Sequence, residues 1–154
     1  MALIEGVRAM PGITVGVDGS QHAQPALDWA VKEAGLRRAP LTVLTVHEVA
    51  SNHWTGHAMT VPADESERDK AQQAAEAAVA KAVEAAGEPK PASVTVRAVN
   101  GIPAQELISA SQDADLVVVG RRGGGGFGEL MLGSTSTQVV HHAKSPVVVV
   151  SAQA

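Results

Sequence analysis

Two periodicities take turns along the whole chain, and this alternation restricts the fold more than any other feature. Short valine-rich apolar runs stand at 13–17 (ITVGV), 41–47 (LTVLTVH), 93–99 (SVTVRAV), 116–119 (LVVV) and 147–150 (VVVV). Runs of this length, bounded by Gly or Pro, read as strands buried on both faces. Between them the spacing changes to three and four. Ala23, Ala26, Leu27, Ala30, Val31 and Ala34 form one such face in 22–38, with Pro25 placed for a first turn. A narrow stripe from Ala71 to Ala86 fills 67–86 and stops at Gly87 and Pro89. Pro103 opens a third helix over 103–111, and a fourth covers 134–143, ending before Pro146. The order is β-α-β-α-β-α-β-α-β. Strict alternation predicts an α/β domain with an open parallel sheet, right-handed crossovers and helices on both faces. No internal repeat or second domain is visible, so the expectation is one domain over 1–154 with a core at about 12–151.

Composition supports this picture. Of the 154 residues 45% are apolar, and 27 Ala and 22 Val supply most of them. Such a core is built by laying small-faced helices tightly on a Val-rich sheet. The absence of Cys excludes disulfides, thiolate metal sites and a Cys nucleophile, and suits a cytoplasmic protein. No stretch of 18 apolar residues occurs, and 1–12 lack a signal-peptide core, so neither a membrane span nor secretion is expected. A net charge of −4 and only three aromatics (Trp29, Trp54, Phe127) argue against nucleic acid as a partner.

In an open parallel sheet, ligands bind beyond the carboxyl ends of the strands where strand order reverses. Two strand ends carry unusual residues. The first reads Gly16-Val17-Asp18-Gly19-Ser20. The fourth continues through Gly120, Arg121 and Arg122 into the glycine-rich stretch 123–128, then reaches Gly133-Ser134-Thr135-Ser136. Glycines let backbone amides approach an anion, and a helix entered at Gly133-Ser134 offers free amides and a favourable dipole. The hydroxyls of Ser134, Thr135 and Ser136 and the charges of Arg121 and Arg122 complete a candidate polyphosphate cradle. The competing reading is a glycine loop with Ser134 as a plain helix cap. The P-loop is excluded because no lysine stands beside Gly133-Ser134. Gly123, Gly125 and Gly128 literally satisfy G-x-G-x-x-G, but the helix starts later and no acid lies about 20 residues on, so a dinucleotide fingerprint is rejected. Asp18 is placed to accept from ribose hydroxyls or an adenine amine, or to stand near Mg²⁺. It equally suits an Asx turn with Gly19.

These residues resemble the universal stress protein family in its actinobacterial form. The nucleotide motif of the family's ATP-binding branch, G-x2-G-x9-G-[ST], stands here as Gly120, Gly123, Gly133 and Ser134. The opening G-V-D-G-S at 16–20, followed by A-L-x-W-A-x-x-E-A at 26–34, and the ending of His141-His142-Ala143 with Pro146 and 147–150 are also similar to that family. The resemblance covers about 12–151. It implies a Rossmann-like, adenine nucleotide alpha hydrolase-like sheet in the order 3-2-1-4-5, with strands one and four adjacent at the switch point. It implies adenine near Gly16, Val17, Asp18 and Val46, with Val119 and Gly120 beside base and ribose. Phosphates would lie on Gly123, Gly133, Ser134, Thr135 and Ser136. It also implies a homodimer through the last strand, 146–151, where the alternative is a covered edge in a monomer. The glycine excess at 123–128 departs from the family pattern and implies a looser grip on phosphate.

Other candidates are weaker. His47, His53 and His57 lack a recognised zinc spacing, and His141-His142 suits a helix end. Trp54 is as well placed to anchor its loop as to cover a ligand. Three functional classes stay open: an ATP-binding regulatory module (or a cyclic AMP sensor using the same strand ends), a slow ATPase or adenylyl-transferring enzyme, and a scaffold that binds nothing. No nucleophile elbow, Ser-His-Asp pattern or carboxylate pair accompanies the cradle, which favours a binder over a catalyst.

Overall fold

A computed structural model describes residues 12–48, 65–121 and 132–151. The elements run β1 (Ile13–Val17), a 3-10 turn (Gln21–Ala23), α1 (Gln24–Arg37), β2 (Pro40–Glu48), α2 (Glu65–Ala86), β3 (Ser93–Gly101), α3 (Pro103–Ser111), β4 (Leu116–Gly120), α4 (Ser134–His142) and β5 (Val147–Val150). All five strands are parallel, in the order β3-β2-β1-β4-β5. The chain therefore crosses outward from β1 through β2 to β3, then returns to the other side of β1. The reversal falls between β1 and β4.

The valine runs fill two cores because side chains alternate across a strand. Ile13 and Val15 of β1, Leu41 and Val43 of β2, and Leu116 and Val118 of β4 pack against α1 and α2. Leu44, Val117 and Val119 face the other way, toward Leu107 of α3 and Val139 of α4. Ala26, Ala30 and Ala34 of α1 are each 0% exposed. Residues without a long side chain at these points let the helix axis lie close to the sheet, and α2 does the same with Ala75, Val79 and Ala82. This is why the apolar set is alanine and valine.

The starts of the two central strands are tied together. The Gly12 N–H donates to Asp115 Oδ2 at 3.1 Å, and the Asp115 N–H donates to the Gly12 carbonyl at 2.9 Å. Gly12 holds φ at +82°, and a Cβ there would lie 2.2 Å from the Pro40 carbonyl oxygen, so only glycine fits. At the same end of the sheet, the Ser111 hydroxyl donates to the Ile108 carbonyl and accepts from the Lys144 N–H at 2.8 Å, pinning α3 to the connection into β5.

The strand bounds depart from the sequence reading only at the ends. β2 begins at Pro40, where a first strand residue needs no inward N–H, and β3 continues to Gly101 because it pairs with β2 as far as Glu48. Residues 21–23 form a separate 3-10 turn before α1, with Pro25 in the first turn of that helix. Among the described residues no helix is long and apolar enough to cross a membrane.

Candidate functional site

A cleft of about 340 Å³ opens where β1 and β4 part, at the carboxyl ends of the strands. Three layers build it. The floor is strand: Gly16, Val17 and Asp18 from β1 and its exit, Leu44, Val46 and Glu48 from β2, and Val119 and Gly120 from β4. Pro103 and Leu107 of α3 form one wall, and Thr135 and Ser136 of α4 the other. The size falls within the usual range for small-molecule sites, about 300–1,000 Å³.

Gly16 shapes the floor. A Cβ on it would come within 2.8 and 2.9 Å of the Leu107 methyls, so its lack of a side chain lets α3 approach β1. Beyond it, Asp18 Oδ1 accepts from the Ser20 N–H at 2.9 Å and from the Ser20 hydroxyl. The Asx turn expected as one reading of Asp18 is thus formed, with Gly19 at φ +79°. Asp18 also lines the cleft, so the turn does not withdraw it from the cavity.

On the opposite wall, α4 starts at Gly133, which has an extended backbone and no side-chain cap. The first amides of a helix have no acceptor within it. The Gly133 N–H is taken by the Arg121 carbonyl at 2.8 Å, which leaves the amides of Ser134, Thr135 and Ser136 directed out of the helix start. The Ser136 hydroxyl does not join them. It is buried and donates to the Gly120 carbonyl at 2.5 Å, locking the helix start to the end of β4. Thr137 adds a second lock, donating from its hydroxyl to the Gly133 carbonyl at 2.9 Å. Ser136 thus offers a ligand its amide, while Ser134 is exposed and Thr135 half-buried with hydroxyls outside these bonds.

The cleft is electrically polarised. Carboxylates of Asp18 and Glu48 stand on the β1 and β2 side. A helix start, equivalent to about half a positive charge, stands on the β4 side. Apolar side chains of Val46, Leu44, Leu107 and Val119 share the cleft with them. Chemically this suits a ligand with an anionic end, a flat apolar portion and hydrogen-bond donors.

Of the residues expected from the sequence, Gly16, Val17, Asp18, Val46, Val119, Gly120, Thr135 and Ser136 line this one cleft. Arg121, Gly133 and Ser134 flank it next in the chain and are not among the lining residues. Arg122 and Gly123 lie outside the described residues, as do His53, Trp54 and His57. His141 and His142 sit in the last turn of α4, exposed, with ring centroids 6.3 Å apart. Glu48 and the α3 wall were not anticipated. Glu48 was legible, because it follows Val46 by two positions and a strand repeats its face with that period. The α3 wall depends on packing that no local pattern reveals. A smaller cavity of about 190 Å³ lies across Val17 and Asp18, between the start of α1 at Ala23 and Gln24 and the methyls of α2, such as Ala71, Ala74 and Ala78.

Comparison with known proteins agrees with this fold. A family model described as Universal stress protein family matches residues 11–151. A universal stress protein of Mycolicibacterium smegmatis is 38% identical over 139 residues, which cover 90% of this chain and 47% of the relative. The chain spans about half the length of the curated relatives it matches. Among solved structures, the universal stress protein UspA from Lactobacillus plantarum is similar with a TM-score of 0.72 at 25% identity, covering 92% of this chain and 99% of that one. A universal stress protein in complex with cAMP is similar with a TM-score of 0.64 at 27% identity, covering 90% and 94%.

Proposed function

The chain belongs to the universal stress protein family, and on that footing we propose that it binds ATP in the cleft between β1 and β4 and acts as a nucleotide-dependent regulatory unit in a stress response. The observation that carries this reading is the polarity of the cleft, with the carboxylates of Glu48 and Asp18 at the exits of β2 and β1 and the start of α4 beyond β4. The base lies against Val46, Leu44, Leu107 and Val119. Asp18 accepts from ribose hydroxyls through the oxygen that Ser20 leaves free. The phosphates run toward the amides of Ser134, Thr135 and Ser136 and the hydroxyls of Ser134 and Thr135, with Gly120 and Gly133 granting close approach. Arg121 adds charge beside the cleft. If Mg²⁺ accompanies the nucleotide, Asp18 is the carboxylate nearest to hand, and the ion would neutralise phosphate charge.

Binding of this kind needs no basic protein. Amides at a helix start attract phosphate locally, which reconciles an anionic ligand with a net charge of −4. A regulator rather than an enzyme is favoured because, among the described residues, no histidine or lysine lines the cleft to activate a water or nucleophile. Cyclic AMP is the second reading, supported by the likeness to a relative solved with that ligand. The unit functions as a single domain over about 12–151 and in the cytoplasm, and it dimerises by pairing the outer edge of β5, residues 146–151, with a second copy. Mass spectrometry of nucleotide released from the purified protein tests the reading. ATP supports it, cyclic AMP supports the second reading, and ADP or AMP from added ATP moves the case to slow hydrolysis or adenylyl transfer. An empty protein that also fails to take up any of these in solution overturns it.

A further inference from the structure

The two edges of the sheet are treated differently. β3 and β5 each have one neighbour, so each has a row of backbone N–H and C=O groups pointing outward. Such rows pair readily with other strands unless something blunts them. On β3 one side chain from α2 occupies the centre of the row. Gln72 Nε2 donates to the Val96 carbonyl at 2.8 Å, and Gln72 Oε1 accepts from the Ala98 N–H at 2.8 Å. The same Nε2 donates to Glu76 Oε1 at 2.9 Å, which fixes the amide in its plane. The two backbone bonds straddle Arg97. They are the pair that one residue of a sixth parallel strand would make there. Among the described residues, no side chain makes a comparable bond to the outward groups of β5.

We propose that Gln72 is an edge guard: it closes β3 against strand addition by a second copy of this chain, so that strand-wise association is confined to β5. The guarded strip otherwise has what a pairing edge needs. It is long, running nine residues from Ser93 to Gly101, it is rich in β-branched residues, and Val94 is 39% exposed. With both edges open, each copy would offer two pairing sites and the assembly would not close. With one closed, association stops when the β5 edges have met. The confinement to β5 rests on the dimer proposed above, whereas the closure of β3 does not.

Two measurements test it. Hydrogen exchange on the unaltered protein should show the Ala98 amide exchanging at least about tenfold more slowly than the Val94 amide on the same outer edge. Equal rates overturn the proposal without any variant being made. Light scattering on size-separated protein then follows Gln72→Met, which keeps the side-chain volume and removes both backbone bonds. The expected result is a mass at least twice that of the unaltered protein, rising with concentration. Adding Ala98→Pro to that variant removes the outward N–H and should restore the original mass, since proline is tolerated on an edge. An unchanged mass for Gln72→Met, or a raised mass that Ala98→Pro leaves raised, overturns the proposal. A β5 dimer that proves absent would lower the starting mass without altering these comparisons.

Discussion

Ser136 and Ser134 sit two residues apart at the same helix start, yet the structure gives them separate work, and paired substitutions expose the difference. Ser136 is buried and its hydroxyl satisfies the Gly120 carbonyl. Ser136→Ala removes a neutral hydrogen bond, about 0.5–1.5 kcal/mol net, and leaves a carbonyl short of a partner, a penalty of about 1–3 kcal/mol when that group is fully dry. Gly120 is only half-buried and faces the cleft, so water repairs part of the loss. The expected destabilisation is about 1–2 kcal/mol, which for a chain of this size lowers Tm by about 2–8 °C. Ser134 is exposed, and Ser134→Ala should change stability by no more than about 0.5 kcal/mol. Chemical denaturation followed by circular dichroism measures both. ATP affinity should order them differently, because in the proposed pose the Ser134 hydroxyl meets phosphate, whereas that of Ser136 is held by the Gly120 carbonyl. Equal stability for the two variants, or a larger loss at Ser134, would refute the assignment.

Other expectations follow from single positions. Gly12→Ala combines a left-handed backbone cost of about 1–2 kcal/mol with a Cβ 2.2 Å from the Pro40 oxygen; unfolding titrations should show a loss of at least about 2 kcal/mol, and an unchanged midpoint would contradict the packing described. Val149 directs its N–H away from β4, because Val150 accepts on the β4 side; Val149→Pro should therefore halve the mass of a β5 dimer in light scattering while the circular dichroism spectrum is retained. In the proposed pose Glu48 presents an acceptor-only carboxylate to the base. Glu48→Gln adds a donor suited to the guanine carbonyl, so the ratio of ATP to GTP affinity should fall about tenfold, and an unchanged ratio would remove Glu48 from base recognition.

The fold was legible wherever a period was strong. The run at 147–150 coincides with β5, and 103–111 with α3, because four consecutive valines and a Pro-opened amphipathic turn leave few alternatives. Strand ends were less clear. β3 reaches past Val99 to Asn100 and Gly101, polar or flexible residues that extend only because β2 lies alongside. The cleft was legible as two strand ends and a helix start, since backbone chemistry there follows from glycine spacing and helix direction. What stayed hidden was the use of individual side chains. Ser136 reads as one more hydroxyl for phosphate, but a carbonyl 16 residues away claims it. Gln72 carries no signal of its own in the sequence, because its partners are 24 and 26 residues away on a strand edge. Both depend on contacts that exist only after the layers have packed.

Titration calorimetry of ATP against the unaltered protein and Thr135→Glu bears most directly on the cleft. Thr135 lies in the first turn of α4 and lines the site, so a carboxylate there suits the helix dipole and the fold while occupying the anion's place. The account predicts stoichiometric binding to the unaltered protein and affinity at least about tenfold weaker in the variant, without loss of thermal stability. Absence of ATP binding to the unaltered protein, with and without Mg²⁺, or equal affinity in the two, would contradict it.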